Sequence, residues 1–334
     1  MKDARNRPVT LHDIAQATGY TVNTVSRALK GKEDIGRETR AYIQRVAREM
    51  GYVRNYLASS LRSGNSQALA MIVGSMMNPF YAILTDLIQR EAIRLGCSLI
   101  ILCHQDDPDM ELKAVEMALS RQAAGVLITP CSFESEALSR LRASGIPFVL
   151  LSRFLEGSED DCVYCNDEEG GYLAGKHLVD AGHRKLAMLS YHQVVFSSRK
   201  RFTGFRRACG EAGIPEEDVL FDCLREPEEI LRRVREWISR GVTGLFAFCD
   251  VEAWNTITLL ENNGIPVPGR LQVIGFDNIL RYVSFPKAIC SVDCHLEEEA
   301  GTAIRLLMNR IREPDLPPQQ VVLPVSLVCR CGRG

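Results

Sequence analysis

Short apolar runs alternate with amphipathic stretches from Ala68 onward, and this alternation constrains the fold more than any other feature. The runs with strand character are Ala68–Gly74, Ser98–Cys103, Gly125–Thr129, Pro147–Leu151, Leu186–Ser190, Gly244–Cys249 and Val273–Phe276, with a last one near Val321–Cys329. The helical stretches between them include Phe80–Leu95, Leu112–Arg121, Glu169–Ala181, Arg201–Ala212 and Ala253–Asn262. Continuous apolar strands separated by helices predict parallel sheets covered on both faces. Because about 260 residues exceed the needs of one sheet, we predict two α/β lobes.

The N-terminal 66 residues differ from this pattern in charge. They hold 12 Lys and Arg against 6 Asp and Glu, a net charge of +6, which leaves −8 on the rest of a chain whose total is −2. A basic block attached to an acidic body is typical of a phosphate-binding module joined to a larger domain. Chance clustering of charge could give the same totals, so the residue pattern inside the block has to show whether it binds phosphate.

Two short helices joined by a glycine are predicted inside the basic block. Thr10 is a good N-cap for the first helix, and Gly19 suits a left-handed residue at its end. Thr21 caps a second helix, in which apolar residues recur at Val22, Val25 and Leu29. A third helix follows over 37–50. This arrangement predicts a helix-turn-helix.

The other face of the second helix carries polar side chains, namely those of Asn23, Thr24, Ser26 and Arg27. Donors and acceptors of this kind contact base edges and phosphates. A solvated helix face is the alternative interpretation. The position of these residues on the second helix of a basic helix-turn-helix favours DNA contact.

The segments that carry this pattern resemble the headpiece of the lactose-repressor (LacI/GalR) family. They are Val9–Gly19 (VTLHDIAQATG), Thr24–Leu29 (TVSRAL), Glu38–Arg40 (ETR) and Gly51-Tyr52. The resemblance implies base contacts by Val22, Asn23 and Arg27, and phosphate contacts by Thr10, Thr21, Thr24 and Ser26. Gly36 departs from the pattern, because the family often has serine at this helix cap.

A short hinge segment follows the headpiece. Asn55 is a suitable cap for a brief helix that ends near Arg62, and Ser63–Ser66 has the composition of a linker. One or two turns of isolated helix are marginal in water. The resemblance implies that this helix forms against its copy in a second subunit on DNA, and that Leu61 inserts into the minor groove and kinks the duplex. A solvated linker is the alternative.

The resemblance continues along the rest of the chain. The matching segments are Asn78–Tyr81, Arg121–Gly125, Gly170–Gly175, Gly182–Arg184, Arg201–Phe205 and Val273–Asp277. It implies an all-α helix-turn-helix headpiece followed by an α/β periplasmic-binding-protein type I domain of two parallel-sheet lobes. We expect a headpiece at 1–54, a hinge at 55–67 and an effector-binding and dimerisation domain at 68–331. Within that domain the N-lobe spans about 68–165 and 295–322, and the C-lobe about 166–294 and 323–331.

The effector is expected between the lobes, outside the carboxyl ends of the strands. The resemblance assigns effector binding to Arg201 and Asp277, and at the position of Cys249 the family usually has an asparagine that binds effector. An arginine fork and an acceptor-only carboxylate suit hydroxyl or carboxylate ligands. Further candidates lie at strand ends: Phe80, Tyr81 and Arg153. Core packing is the alternative for the aromatic residues, and a surface salt bridge is the alternative for Arg201.

Cofactor and metal chemistry are not expected from the sequence. Among 12 cysteines, Cys162 and Cys165 form a C-x-x-C and Cys329 and Cys331 a C-x-C, but no second pair or His-x3-His follows at zinc-ligand spacing. Gly170–Lys176 approaches a P-loop, but position 177 is His and the run has helical character. No catalytic constellation is visible, so we do not expect an enzyme.

These features together predict a transcription regulator, most simply a repressor, that binds a palindromic operator as a homodimer under the control of a small sugar or related metabolite. No apolar run approaches the ~20 residues that span a bilayer, and the polar N-terminus lacks a signal-peptide core, so we expect a cytoplasmic, nucleoid-associated protein without membrane partners. The alternatives are a solute-binding transport protein, which has no use for the headpiece, and an α/β enzyme with an accessory DNA module.

Overall fold

A computed structural model of the chain describes residues 7, 9–52, 68–132, 135–155, 157–191, 196–285 and 287–330. The chain divides into two compact units, Met1–Ser66 and Gln67–Gly334. The first unit is helical, and the second is built from strands and helices in alternation.

The described part of the first unit contains three helices, α1 (Leu11–Thr18), α2 (Val22–Leu29) and α3 (Arg37–Glu49). Their facing sides bury a small core of Ile14, Ala15, Val25, Ala28, Ile43 and Ala47. Gly19 ends α1 at a φ of 75°, a left-handed conformation that glycine adopts without strain. The predicted helix-turn-helix is confirmed. Val22 stays outside the core and is 37% exposed.

Side-chain caps fix the starts of the first two helices. The amide of Asp13 donates to Thr10 Oγ1 (3.3 Å), and the amide of Thr10 donates to Asp13 Oδ2 (2.8 Å), which together form a capping box. The Thr10 hydrogen bonds hold the pKa of Asp13 below its usual value. Thr21 accepts from the amide of Thr24 at 3.2 Å. Gly36 begins α3 without a side-chain cap, as expected for a residue with no oxygen to offer.

The second unit alternates strands and helices along its whole length. Its first half contains β1 (Ala68–Val73), α4 (Pro79–Arg94), β2 (Ser98–Cys103), α5 (Pro108–Ser120), β3 (Gly125–Ile128), α6 (Glu136–Ser144), β4 (Phe148–Leu151) and β5 (Cys162–Cys165). Its second half contains α7 (Asp167–Asp180), β6 (Leu186–Ser190), α8 (Phe196–Glu211), β7 (Val219–Cys223), α9 (Pro227–Ser239), β8 (Gly244–Ala247), α10 (Asp250–Asn262), β9 (Gln272–Phe276), β10 (Cys290–Asp293), α11 (Leu296–Arg312), β11 (Gln320–Leu323) and β12 (Ser326–Val328).

Within the described residues these strands form two six-stranded sheets, one in each lobe. The orders are β11-β5-β4-β3-β1-β2 in the N-lobe and β12-β10-β9-β8-β6-β7 in the C-lobe. All described pairings are parallel except that of β10 with β12. The predicted fold of two parallel-sheet lobes is confirmed. The strand expected near Val321–Cys329 is in fact two strands, which belong to different sheets and are separated by Pro324 and Val325.

Three segments carry the chain between the lobes, and they are bonded to one another. The first is at Asn166, the second at Cys294-His295 and the third between β11 and β12. The amide of Asn166 donates to the carbonyl of Leu323 (2.9 Å). The Ser326 hydroxyl lies 3.3 Å from His295 Nε2. We call these three segments the crossovers.

Two glycines let α7 and α8 cross at very short range. A Cβ on Gly171 would lie 1.8 Å from the carbonyl oxygen of Arg201, and a Cβ on Gly204 would lie 1.8 Å from that of Glu168. Gly170 faces the Phe276 ring in the same way, at 2.4 Å. The glycines that resembled a P-loop, Gly170 and Gly175, lie inside α7, as expected, and allow it to pack closely against Phe276 and against α8. No helix in the described part of the chain has the length and apolar content needed to cross a bilayer.

Candidate DNA-contact face and effector site

The residues predicted to contact DNA lie at the start of α1 and along α2. Thr10, Thr21, Val22, Asn23 and Arg27 are exposed, whereas Thr24 and Ser26 are half-buried. The hydroxyls of Thr21 and Thr24 are 2.9 Å apart. An exposed valine beside polar residues suits apolar contact with a base edge. Asn55 and Leu61 of the predicted hinge lie outside the described residues.

Arg27 is engaged by an acidic residue of its own unit. Its guanidinium forms an ion pair with Asp34, and about half of each side chain remains exposed (47% and 46%). An exposed ion pair of this kind contributes little to stability. Because the pair is weak, the guanidinium can exchange Asp34 for a stronger acceptor.

A cavity of about 720 Å³ opens at the carboxyl ends of strands from both lobes. N-lobe residues that line it are Ser75, Asn78, Tyr81 and Asp106, and C-lobe residues include Tyr191, Arg225, Glu252 and Thr256. Parallel α/β sheets bind ligands at this end of their strands. A cavity of similar size lies beside α4 and α11, away from those strand ends, and half of its lining residues are charged.

Two polar atoms on α10 lack partners where they border this cavity. Glu252 is buried, and its Oε2 accepts from the amide of Phe248 (2.8 Å), while its Oε1 has no hydrogen-bond partner among the described residues. The buried hydroxyl of Thr256, one helical turn further on, also has none. Burial raises the pKa of Glu252 well above its usual value. Buried polar groups rarely remain unsatisfied, so these two atoms are candidates for hydrogen bonds to a polar ligand.

On the N-lobe side, Arg153 is held behind Tyr81. Its guanidinium donates to the Tyr81 hydroxyl (3.0 Å), to the carbonyl of Pro130 (2.7 Å) and to Asp106 Oδ1 (3.2 Å). Tyr81 and Arg153 are both 7% exposed. Phe80 packs against the core and meets the Tyr81 ring edge-on at 5.2 Å between centroids. Arg153 thus orients the tyrosine that borders the cavity.

On the C-lobe side, Arg201 lies in a buried cage. Its Nε donates to Asp167 Oδ1 (2.8 Å), its Nη1 donates to the Phe248 carbonyl (2.5 Å), and its guanidinium lies 3.5 Å from the centre of the Phe276 ring. Burial raises the pKa of Asp167, an effect that Arg201 opposes. Burial alone would lower the pKa of Arg201, but the nearby carboxylates raise it. The surface salt bridge considered from the sequence is wrong, because the side chains of this pair are only 8% and 4% exposed.

Cys249 and Asp277 border the same region. Cys249 lies 3.9 Å from the Tyr191 hydroxyl, a weak contact through sulfur. Asp277 has a φ of 100°, so its backbone is strained at the carboxyl end of β9. Burial raises the pKa of Asp277 well above its usual value, although the Arg201 guanidinium opposes the rise. Among the six predicted effector residues, only Tyr81 is a lining residue of the cavity in the described part of the chain.

The cavity residues that sequence-based prediction missed include Asp106, Tyr191, Glu252 and Thr256. Asp106 and Tyr191 follow the carboxyl ends of β2 and β6, so the rule that ligands bind at strand ends was a signal that pointed to them. Glu252 and Thr256 lie within α10, where polar residues at helical spacing resemble a solvated face. Their burial becomes evident only from the packing.

Glu299, on α11 beside the crossovers, should make stability depend on pH. It is 1% exposed and accepts a hydrogen bond from Ser152 Oγ (2.6 Å), and burial raises its pKa to about 7. A raised carboxyl pKa stabilises the fold below the unfolded value near 4.5, and this contribution is lost as pH rises towards 7. Glu299→Gln should remove a loss of about 3 kcal/mol between pH 4.5 and 8. Urea unfolding at both pH values tests this, and equal pH slopes for the two proteins would contradict it.

Two family models match the chain in sequence order. The model of bacterial regulatory proteins of the lacI family matches residues 10–55, and the model of the periplasmic binding protein-like domain matches residues 176–331. The chain belongs to the LacI family of transcriptional regulators. The resemblance seen in the headpiece and in the large domain is thereby confirmed.

Relatives of this LacI-family regulator match it over nearly their whole length. It is 28% identical to the HTH-type transcriptional repressor PurR of Mannheimia succiniciproducens over 326 residues, which cover 96% of this chain and 97% of that protein. It is 29% identical to the HTH-type transcriptional regulator DegA of Bacillus subtilis over 327 residues, with the same coverage. These relatives are regulators and not enzymes by name.

Solved structures show the same fold as this LacI-family regulator. The lac repressor dimer bound to operator and the anti-inducer ONPF superposes with a TM-score of 0.81 at 20% identity, covering 96% of this chain and 98% of that one. The complex of the regulator CelR with cellobiose superposes with a TM-score of 0.68 at 24% identity, with the same coverage. A LacI-family regulator from Enterococcus faecium with bound ribose covers 78% of this chain and 96% of its own, with a TM-score of 0.69 at 24% identity.

Proposed function

We propose that this LacI-family regulator is a repressor that binds a palindromic operator as a homodimer, and that a polar small molecule in the interlobe cavity controls its affinity. The proposed division is a DNA-binding headpiece at 1–54, a hinge at 55–67 and an effector-binding and dimerisation domain at 68–331. The observation that carries the effector half is the cavity with unsatisfied Glu252 and Thr256 at the strand ends of both lobes.

The DNA half rests on α2. Its exposed face presents Val22, Asn23 and Arg27, while Thr10 and Thr21 lie at the starts of the two helices, where hydroxyls and amides reach phosphates. The lac repressor neighbour is a dimer bound to operator by its title. Two copies of the headpiece, one in each of two successive major grooves, match a palindrome. Asn55 and Leu61 keep the hinge roles that the resemblance implies.

The effector half rests on polar groups that face the cavity. Hydroxyl and carboxylate partners are available from Tyr81, Asp106 and Tyr191. Further hydrogen bonds can form at Glu252 Oε1 and at the Thr256 hydroxyl. The neighbours solved with cellobiose and with ribose make a sugar or related metabolite the most economical choice. The residues that surround this cavity include Arg201, Asp277, Cys249, Arg153 and Phe80. We propose that Arg201 and Asp277 contact the effector directly when the lobes close.

Coupling between the two halves follows from the two-lobed design. An effector that touches both lobes favours one angle between them, and that angle sets the separation of the two hinges in a dimer. The hinge helices then form or unfold, which links effector binding to DNA affinity. Shifting a two-state equilibrium from 1:99 to 99:1 needs a difference in binding free energy of about 5.5 kcal/mol between the two states.

Arg27→Ala should weaken specific DNA binding by about 1–3 kcal/mol if the guanidinium contacts a base edge. Binding is measured by gel shift or fluorescence anisotropy with upstream DNA and with a scrambled duplex of equal length. Arg45→Ala is the matched control, because Arg45 is an exposed arginine of α3 that pairs with Glu49. The two variants should lose similar affinity for scrambled DNA, and only Arg27→Ala should lose the preference for the operator. Equal losses on both duplexes would make Arg27 a phosphate contact, and no binding by the wild type at low salt would refute the regulator.

Thr256→Val should weaken effector binding without destabilising the protein. Valine is isosteric and removes a buried hydroxyl that has no partner, so the free protein should keep or slightly raise its Tm. Loss of one hydrogen bond to the effector should reduce affinity by about 2–10-fold, which corresponds to 0.5–1.5 kcal/mol. The measurement is a thermal-shift screen of cellobiose, ribose and other polar metabolites, followed by calorimetric titration of any hit.

An exposed threonine supplies the control for this test. Thr203 on α8 bonds only its own helix, to the carbonyl of Arg199, so Thr203→Val should leave effector affinity unchanged. An effector that binds wild type and Thr256→Val equally would place its site outside the cavity.

A further inference from the structure

Three metal-binding side chains from distant parts of the sequence meet at one edge of the C-lobe sheet. Cys290 is the first residue of β10, Cys329 directly follows β12, and His177 lies in the last turn of α7. A nitrogen of His177 and the two sulfur atoms all lie within 4.8 Å of one another. We propose that His177, Cys290 and Cys329 bind a thiophilic divalent cation, with Zn²⁺ the best match, which fastens the C-terminal strand to the C-lobe.

The strand register explains why the two thiols meet. β10 and β12 are antiparallel, with Ser291 opposite Val328, so the next pair outward is Cys290 opposite Cys329. Their sulfur atoms are 2.9 Å apart. Tetrahedral zinc has Zn–S distances of about 2.3 Å and Zn–N distances of about 2.0–2.1 Å, which separates its ligand atoms by roughly 3.3–3.8 Å. Moderate side-chain rotations would bring the present distances to those values.

A chain of hydrogen bonds leads to the imidazole of His177 and holds it in position. Thr243 Oγ1 lies 2.8 Å from His183 Nδ1, and His183 Nε2 lies 2.7 Å from Gln272 Oε1. The Gln272 amide nitrogen lies 3.3 Å from His177 Nε2. The oxygen and nitrogen of the Gln272 amide can exchange places, and when the oxygen accepts from His177 Nε2–H, Nδ1 keeps the lone pair that binds a metal. Such outer partners hold a ligating histidine in place.

The chemistry of the ligand set selects the ion. Two thiolates and one imidazole are soft to borderline ligands, which favour Zn²⁺ over Mg²⁺ or Ca²⁺. Two thiolates also balance the charge of a divalent cation. Cys290 is buried, His177 is half-buried and Cys329 is exposed, so an ion can reach the site from solvent. Three protein ligands leave a fourth position for water.

The location of the site indicates a structural role. Cys290 is at the amino end of β10, whereas the effector cavity lies at the carboxyl ends of the strands. β12 has only three residues and lies at the edge of its sheet, paired with β10. An ion held by α7, β10 and the residue after β12 would join this short strand to two larger elements. Sequence analysis could not predict this site, because the three ligands are far apart along the chain.

The test is metal binding by the full-length, untagged protein after reduction and removal of metal with a chelator. Co²⁺ should bind with one equivalent per chain and give the visible d–d bands of tetrahedral cobalt and a thiolate-to-cobalt charge-transfer band. Zn²⁺ should displace it and raise the Tm by about 5–10 °C at roughly 100 times its Kd. His177→Asn, Cys290→Ser and Cys329→Ser should each abolish the cobalt spectrum. His12→Asn and Cys97→Ser, at an exposed histidine and at a cysteine of the other lobe, are matched controls and should keep it.

His177→Asn is the decisive variant, because it leaves both thiols and the sheet register intact. Retention of the cobalt spectrum in a folded His177→Asn protein would overturn the proposal. So would a reduced wild-type protein that binds neither Co²⁺ nor Zn²⁺. A Cys290–Cys329 disulfide, detected as a loss of two hydrogens by mass spectrometry, together with no metal uptake after reduction, would show that the pair is a redox couple and not a metal site.

Discussion

Gly204→Ala should destabilise the second unit by about 3 kcal/mol or more, at the upper end of overpacking costs. Its Cβ would lie 1.8 Å from the Glu168 carbonyl oxygen and 2.7 Å from the Tyr172 amide nitrogen. Both are backbone atoms of α7, so no side chain can rotate away and the two helices must separate. The higher helix propensity of alanine returns at most about 1 kcal/mol. Thermal unfolding should show a fall in Tm of roughly 6–12 °C.

Gly210→Ala is the control for this prediction, because Gly210 lies on the same helix and a Cβ there would meet no atom within 4 Å. That variant should be neutral or gain up to about 1 kcal/mol. Gly171→Ala should behave like Gly204→Ala, since its Cβ would lie equally close to the Arg201 carbonyl oxygen. Similar Tm values for Gly204→Ala and Gly210→Ala would show that the helices separate at little cost.

Asp167→Ala should destabilise the second unit by about 3–5 kcal/mol, because it leaves the buried guanidinium of Arg201 without its carboxylate. Arg201 retains its contacts with the Phe248 carbonyl and the Phe276 ring and a longer-range interaction with Asp277, but no hydrogen-bonded carboxylate. Urea unfolding measures the loss of stability. Effector binding should fall with it, since the position of Arg201 then depends on weaker contacts.

The neighbouring residue on α7 supplies the matched control. Glu168 also pairs with basic residues of α8, Lys200 at 3.0 Å and Arg207 at 3.4 Å, but these side chains are 32–43% exposed. Glu168→Ala should therefore cost less than about 1 kcal/mol. Equal losses for Asp167→Ala and Glu168→Ala would mean that burial adds nothing to the Asp167–Arg201 pair.

Most of the fold follows from local sequence patterns, in which each short segment indicates its own secondary structure. Apolar runs such as Ala68–Val73 identify central strands, because only a strand with helices on both faces buries every side chain. Strands that are short or contain polar residues, including the internal strands β5 and β10, are harder to identify. β7 includes Asp222, and β12 has three residues, so neither shows the continuous apolar pattern. The headpiece was predictable almost to the residue, because its caps at Thr10, Thr21 and Gly19 are local signals.

The effector site was less predictable, for a physical reason. Resemblance supplied Arg201 and Asp277, but it did not show that Arg201 is neutralised by Asp167, 34 positions earlier in the chain. Such pairings depend on how closely α7 and α8 approach, and Gly171 and Gly204 set that distance. Glu252 and Thr256 illustrate the same limit. A polar residue on a helix looks solvated until the packing shows that it is buried.

The three crossovers also restrict how the lobes can move. A single connection would let the lobes both twist and bend relative to one another. The three connections lie side by side and are hydrogen-bonded to one another, Asn166 to Leu323 and His295 to Ser326. Rotation of the lobes about a single axis therefore meets the least resistance. A ligand that bridges the cavity therefore changes only one rotation between the lobes. Its binding free energy then favours a single defined displacement and is not divided among many different motions.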